Sequence, residues 1–315
     1  MNAPTEQDAR RILRIALGKE IRTIRRFPTG LAHYVYDVVT TDGEALVIRL
    51  TRPDMKAHFA GALRWYEPLK SRGVPLPMPY FSSLDEAQFG FPVLIMERLH
   101  GRDLDAVYPR LSAAQKHALA ERIVAIQQAA ASLPLGKGYG FALSPDDPGL
   151  RASWLGVLEG SLGRSAGRLN SAQLDESAAF ARLRKAIDAH KSYFERVPPT
   201  CFLDDTTTKN VLIDRNGALS GIVDVDMVAY GDPLFTLSLT RMALLARGYD
   251  LTYTDEWAAL LHLTADQERA VHLYTALFAL DFMSEMGQRF NQDAAIPVDQ
   301  AQLARFRSIL DAQLA

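Results

Sequence analysis

The first hundred residues read mostly as sheet, in short β-rich runs whose apolar positions alternate from Ile21 to Leu50. Between Ile21 and Leu50 two such runs, YVYDVVT and ALVIRL, flank Thr41-Asp42-Gly43, and this turn signal predicts a β-hairpin. A helical stretch follows from about Lys56 to Arg72. The proline-rich run Val74 to Pro79 then breaks any regular element before an apolar strand from Phe91 to Met96. After Gly101 the period changes. Ser112 can cap a helix in which Leu119, Ile123 and Ile126 recur at helical spacing, and Asp175 to Phe194 and Tyr274 to Met286 read as helices too. The exception lies between Cys201 and Asp226, where the β runs NVLID and LSGIVDVD flank Asn216-Gly217, a strong hairpin signal. The layout is α+β: a small β-rich lobe over 1–96, a link at 97–101 and a larger helical lobe over 102–315 that contains one hairpin.

Composition narrows the function classes. With 315 residues, 48% of them hydrophobic, the chain can bury a substantial core, and disorder over most of its length is excluded. Thirty-five Lys and Arg against 37 Asp and Glu leave a formal charge of −2, so no global basic field favours a nucleic-acid partner. The lone Cys201 cannot form an internal disulfide, and the seven histidines lack zinc-site spacing. The amino-terminal run MNAPTEQDARRILRIALG mixes charges into its apolar positions and does not read as a secretory signal. No stretch approaches the length of a membrane span. The expectation is a cytoplasmic protein with neither membrane nor nucleic acid as partner.

The second hairpin places chemistry. A turn centred near Asn216-Gly217 brings Asn210 within about one residue of directly opposite Asp224. Asp205 stands five residues before Asn210, so two carboxylates and an amide oxygen converge at the open end of the hairpin. Hard oxygen ligands of this kind suit Mg²⁺.

Asp205-Thr-Thr-Thr-Lys-Asn210, then Ile222-Val223-Asp224 and Gly231-Asp232-Pro233, resembles the D-x-x-x-x-N, I-D-F and G-D-P series of the aminoglycoside phosphotransferases and related choline-kinase-like small-molecule kinases. The resemblance covers nearly the whole chain. It implies a bilobal protein-kinase-like fold and transfer of the γ-phosphate of ATP or GTP to a hydroxyl of a small molecule. By it Asp205 is the base that orients the acceptor hydroxyl, and Asn210 and Asp224 hold Mg²⁺ against the phosphates. Pro28 to Val38 looks like the family's shortened phosphate loop, with Gly30 letting backbone approach the phosphates. Phe91 to Leu99, with Gly101 after it, matches the strand and hinge beside the adenine, whose hydrogen bonds are assigned to Glu97 and Leu99. Late helices line the family's acceptor pocket, which makes Asp281 and Glu285, four apart on one helix face, candidates for substrate contact. Together with Asp255-Glu256 they hint at a cationic acceptor.

Three positions depart from that pattern. Arg49 occupies the place of the lysine that pairs with the α- and β-phosphates; the alternative is a solvated strand residue. Where the following helix should offer that lysine a glutamate, the chain has Gly61 or Ala62, with Glu67 the nearest acid. Leu203 replaces the histidine two residues before the base, and Asp204 a common glycine. These departures motivate a second reading, a weak or inactive nucleotide-binding module with a regulatory or scaffolding role. Asp232, followed by Pro233, reads as a helix cap rather than a ligand. His33 reads as a surface loop residue, Cys201 as core, and Lys209 as a solvated loop charge or a neighbour of the transferred phosphate.

Overall fold

A computed structural model describes residues 3–27, 33–290 and 295–315. Strands β1 (Ile21–Arg26), β2 (Tyr34–Thr40), β3 (Ala45–Leu50), β4 (Pro79–Ser83) and β5 (Val93–Glu97) form an antiparallel sheet in the order β1-β2-β3-β5-β4. The first hairpin forms where the turn signal puts it, with Val39 paired to Ala45 across it. Alternation along the strands sorts the side chains. Tyr36, Val38, Leu46 and Ile48 enter a core shared with Ile12 and Leu13 of helix α1 (Glu6–Leu17). Val35, Val47, Arg49 and Met96 line the opposite, cleft-facing side.

Helix α1 has no counterpart among the expected elements; Ala9, Ile12 and Leu13 of its twelve residues are buried, and Ala16 and Leu17 pack beside them. Its start is nevertheless signalled, since Thr5 and Asp8 make a reciprocal capping box. The proline-rich run was expected to exclude regular structure, yet β4 begins at Pro79. It lies at the sheet edge, where a residue without an N–H is tolerated. Helix α2 (Lys56–Lys70) follows β3, and its Trp65 and Leu69 belong to the larger core of the carboxy-terminal part.

That larger core is built mainly by helices Ala113–Ala131, Trp154–Ser171, Leu234–Arg247 and Ala265–Glu285. Ser112 caps the first of these in a capping box with Gln115. The expected helix over 175–194 is divided at His190 into Ser177–Ala189 and Lys191–Phe194. The late helix begins at Ala265 rather than Tyr274, capped by Thr264. Two three-stranded sheets sit between the helices and the cleft. One joins Arg102–Asp103, Val211–Ile213 and Leu219–Ile222; the other joins Gly140–Ala142, Val228–Gly231 and Thr200–Phe202. The segment 203–210 therefore leaves one sheet and enters the other, anchored at both ends.

Candidate active site

The second hairpin carries its motif residues as its register requires. Asp214 N–H donates to the Ala218 carbonyl (2.8 Å), the Asp214 carboxylate accepts from the N–H groups of Asn216 and Ala218, and Gly217 supplies φ +84°. Ile222 then pairs with Val211, and Val223 N–H donates to the Asn210 carbonyl (2.9 Å), leaving Asp224 one residue past Asn210. Asp224 adopts φ +64°, a left-handed conformation that costs a non-glycine residue about 1 kcal/mol. Its side chain, 53% exposed, lines the cleft.

The loop before the hairpin is held from several sides. Asn210 Nδ2 donates to the Asp205 carbonyl (3.0 Å), which leaves Oδ1 as the amide's acceptor. Thr207 Oγ1 donates to Asp205 Oδ1 (2.6 Å), and Asp105 N–H donates to the Thr208 carbonyl (2.8 Å). Asp205 is exposed to the cleft, yet the protein mass around the cleft raises its carboxyl above the ordinary value, with Asp224 adding to the effect. Leu203, in the histidine's place, is buried, and support comes from a residue that sequence reasoning missed. Gln127 is buried within helix Ala113–Ala131 and brackets Leu203: Nε2 donates to the Leu203 carbonyl (2.9 Å), while Oε1 accepts from the Leu203 N–H (3.0 Å). Nε2 also reaches Thr206 Oγ1 (3.1 Å).

Asp205, Asn210 and Asp224 open into a cavity of about 1130 Å³ that runs from the sheet to helix Ala265–Glu285. At the sheet end it is lined by Val35, Val47, Met96, Glu97 and Leu99. Glu97 N–H is held by the Met78 carbonyl (2.8 Å), so what its backbone can offer a ligand is the carbonyl. Gly30 lies outside the described residues.

At the other end stand Asp204, Asp281, Glu285 and Lys209, beside Phe235, Phe278 and Phe282. Asp281 accepts from Ser165 Oγ (2.8 Å). Burial, then the Asp281 charge, pushes Glu285 up to about 7. Asp204 Oδ1 is buried with no hydrogen-bond partner among the described residues. Burial, with Asp205 and Asp281 adding to it, pushes this carboxyl up to about 8. Asp255 and Glu256 are not brought here; they pair with Arg241 and His117 on another face.

Arg49 is not a solvated strand residue: its side chain is only 7% exposed. Nη1 meets Asp226 Oδ1 (2.8 Å), Nη2 meets Asp226 Oδ2 (3.0 Å), and Nη2 also meets Asp224 Oδ1 (2.7 Å). Asp226, absent from the candidates read in the sequence, is buried and in turn contacts His33 Nε2 (2.7 Å). His33 Nδ1 contacts Thr51 Oγ1 (2.8 Å), so this histidine is a buried part of the network and not a surface loop residue. Burial opposes both charges, and the pair more than offsets it: Asp226 is held below the usual carboxylate range and Arg49 above its ordinary value. The Phe59 ring of α2 lies 5.2 Å from the guanidinium carbon.

Among the described residues two sets of side chains bring metal-ligand atoms together. Asn210 and Asp224 offer hard oxygens facing the cleft, and the Arg49 contact to Asp224 leaves Oδ2 available. That donor set fits Mg²⁺, which keeps several waters and takes few protein ligands. His33, His58 and Asp226 also bring ligand atoms within 4.8 Å of one another. There both Asp226 oxygens already meet Arg49 and both His33 nitrogens have partners. A cation would confront the guanidinium, so this cluster is an ion-pair network.

The remaining motif residues are structural. Asp232 Oδ1 accepts from the Leu234 N–H (3.0 Å) at the start of a helix, and Oδ2 accepts from the hydroxyls of Tyr193 (2.7 Å) and Tyr274 (2.8 Å). It is a cap, as its neighbour Pro233 implies. Cys201 is core, its thiol pushed up to about 12 by burial.

A β-rich sheet over a helical part, with the loop and hairpin at their junction, defines a kinase-like fold. The sequence model of the phosphotransferase enzyme family (APH) matches residues 23–279, and the chain belongs to that family. Solved structures share the fold over nearly the whole length. A thermostable mutant of aminoglycoside phosphotransferase APH(4)-Ia, in ternary complex with AMP-PNP and hygromycin B, is 16% identical with a TM-score of 0.68, covering 98% of each chain. The GDP complex of a mutant aminoglycoside 2'-phosphotransferase-IIIa is 16% identical with a TM-score of 0.71, covering 98% of this chain and 97% of that one. A fructosamine-3-kinase-like protein from Thermobifida fusca YX-ER1 is 16% identical with a TM-score of 0.61, covering 96% of this chain and 98% of that one. No curated protein matches the sequence. No helix of the described residues is long and apolar enough to cross a membrane.

Proposed function

We propose that the protein transfers the γ-phosphate of ATP or GTP to a hydroxyl of a small molecule. The observation that carries this reading is the meeting of Asp205, Asn210 and Asp224 in one cavity whose two ends differ in chemistry. The apolar sheet end, with Val35, Val47 and Met96, suits a purine ring, and the Glu97 carbonyl and Leu99 N–H are the backbone groups assigned to it. The carboxylate-bearing end suits the acceptor, with Asp281 and Glu285 as contacts.

Each residue has a part that its surroundings support. Asn210 Oδ1 and Asp224 are the groups to hold Mg²⁺, which when bound would neutralise charge on the phosphates. Asp205 has one oxygen fixed by Thr207 and the other available to an acceptor hydroxyl. Its raised pKa makes it a better proton acceptor than a solvated aspartate. In a largely dissociative transfer that acceptance comes late, so its main effect is to orient the hydroxyl. Arg49 supplies fixed positive charge on the cleft face of the sheet.

The test is the melting temperature with ATP and with GTP, each with and without Mg²⁺, followed by Mg²⁺-dependent nucleotide hydrolysis. A ligand bound only by the native state must raise the melting temperature. A Mg²⁺-dependent rise is expected, as is slow hydrolysis that disappears in Asp205→Asn. No rise at millimolar nucleotide would overturn the reading.

A further inference from the structure

The charged residue at position 49 needs a carboxylate partner to be held at the phosphates, and α2, which follows β3, has none to give it. Glu67 is the only acid on α2, six residues beyond Gly61 and so about 9 Å further along the axis. The side of α2 that meets the guanidinium offers instead the Phe59 ring. A Cβ at Gly61 would overlap the Asp226 carbonyl oxygen and lie 3.0 Å from Leu143 Cδ2. The helix thus leaves room at Gly61 for the backbone of the segment after the hairpin. An acid reaches Arg49 from there.

We infer that Asp226 is the positioning residue for Arg49, delivered from the carboxy-terminal part of the chain in place of a glutamate on α2. The inference rests on the nucleotide-binding reading above and extends it to a residue that reading does not use. Three features carry it. The Asp226–Arg49 pair is two-pronged, at 2.8 and 3.0 Å, which fixes the guanidinium plane as well as its distance. His33 and, behind it, Thr51 hold the second Asp226 oxygen and orient the carboxylate. The Asp226 side chain is 8% exposed against 53% for Asp224, Arg49's other partner. The Asp226 contact is therefore the fixed one, and the Asp224 contact is the one that can be given up to a ligand in the cleft.

The experiment uses Asp226→Asn, Ala62→Glu and their combination. Ala62 lines the same small cavity as Arg49, one residue past Gly61, so a glutamate there restores a carboxylate from α2. Binding of Mg·ATP and of adenosine is measured by calorimetry, with melting temperatures as the control for folding. Asp226→Asn is expected to weaken Mg·ATP at least about tenfold while changing adenosine less than about twofold. The double variant is expected to regain most of the lost affinity. Wild-type affinity for Mg·ATP in Asp226→Asn would overturn the inference, as would equal losses for ATP and adenosine. If Asp226→Asn alone does not fold, the double variant decides: folded and binding supports the exchange, and unfolded or folded without binding refutes it. Absence of Mg·ATP binding by the wild-type protein is a separate result, and it would sink the functional reading itself.

Discussion

Asp204 stands next to Asp205 with one buried oxygen that has no hydrogen-bond partner among the described residues, and replacing it by asparagine should make the protein more stable at mildly alkaline pH. The carboxyl rises from 3.8 to about 8 on folding, chiefly through burial. Below about pH 4 folded and unfolded chains both hold this proton. Between there and pH 8 the folded chain keeps a proton that the unfolded chain has lost, so stability falls as pH rises, and the loss is complete above pH 8. At about 1.36 kcal/mol per pH unit the full interval corresponds to an upper bound of about 6 kcal/mol. Asp204 borders the open cavity and is only partly buried as a residue, so solvent relaxation reduces this to about 2–3 kcal/mol. Asp204→Asn is nearly isosteric and carries no charge, and its melting temperature should exceed that of the wild type by about 3–6 °C near pH 8.5. Near pH 4.5 the two should melt within about 1 °C of each other. Scanning calorimetry across this range is the assay. Parallel profiles for the two proteins, or a variant less stable at high pH, would refute the argument that burial of this carboxyl opposes its charge.

Other changes test other parts of the site. Asp205→Ala should abolish turnover and leave nucleotide affinity nearly intact, whereas Asp224→Ala should weaken Mg·ATP binding itself, as titration with nucleotide would reveal. Gly61→Ala removes a helix-interior glycine, a change that intrinsic propensity favours by about 1 kcal/mol. Because the new methyl would overlap the Asp226 carbonyl, a net loss of about 1–2 kcal/mol is expected in urea denaturation, and an unchanged or raised midpoint would contradict the close approach. Gln127→Leu leaves the buried Leu203 N–H and carbonyl without their partner and should cost about 2–3 kcal/mol of stability. Its hydrolysis rate should fall as well, because the same amide fixes the start of the Asp205 loop.

How far the site could be read from sequence follows from distance along the chain. Asp205, Asn210 and Asp224 lie within one hairpin and its preceding loop, and a turn residue of known type fixes their register. Two such turns and the helix capped by Ser112 were legible for the same local reason. The Arg49 network was not. Its members are 177 residues apart for Arg49 and Asp226 and 193 apart for His33 and Asp226, and neither flanking pattern marks Asp226 as more than a second acid after the hairpin. Gly61 carried a hint as a glycine inside a helical stretch, but the reason for it lies in a backbone that crosses the helix from elsewhere. Helix α1 is written locally as well, in the cap formed by Thr5 and Asp8 and in Ala9, Ile12, Leu13, Ala16 and Leu17 at helical spacing, so nothing distant in the chain hides it.

The side chain that steadies the start of the Asp205 loop is an amide. A histidine in such a position gains or loses a proton between about pH 5 and 8, and the loop it supports would feel each change. Gln127 has no proton to exchange, and its two bonds to Leu203 are the same in acid and in alkali. The anchor at the start of the loop that carries Asp205 is thereby insulated from acidity.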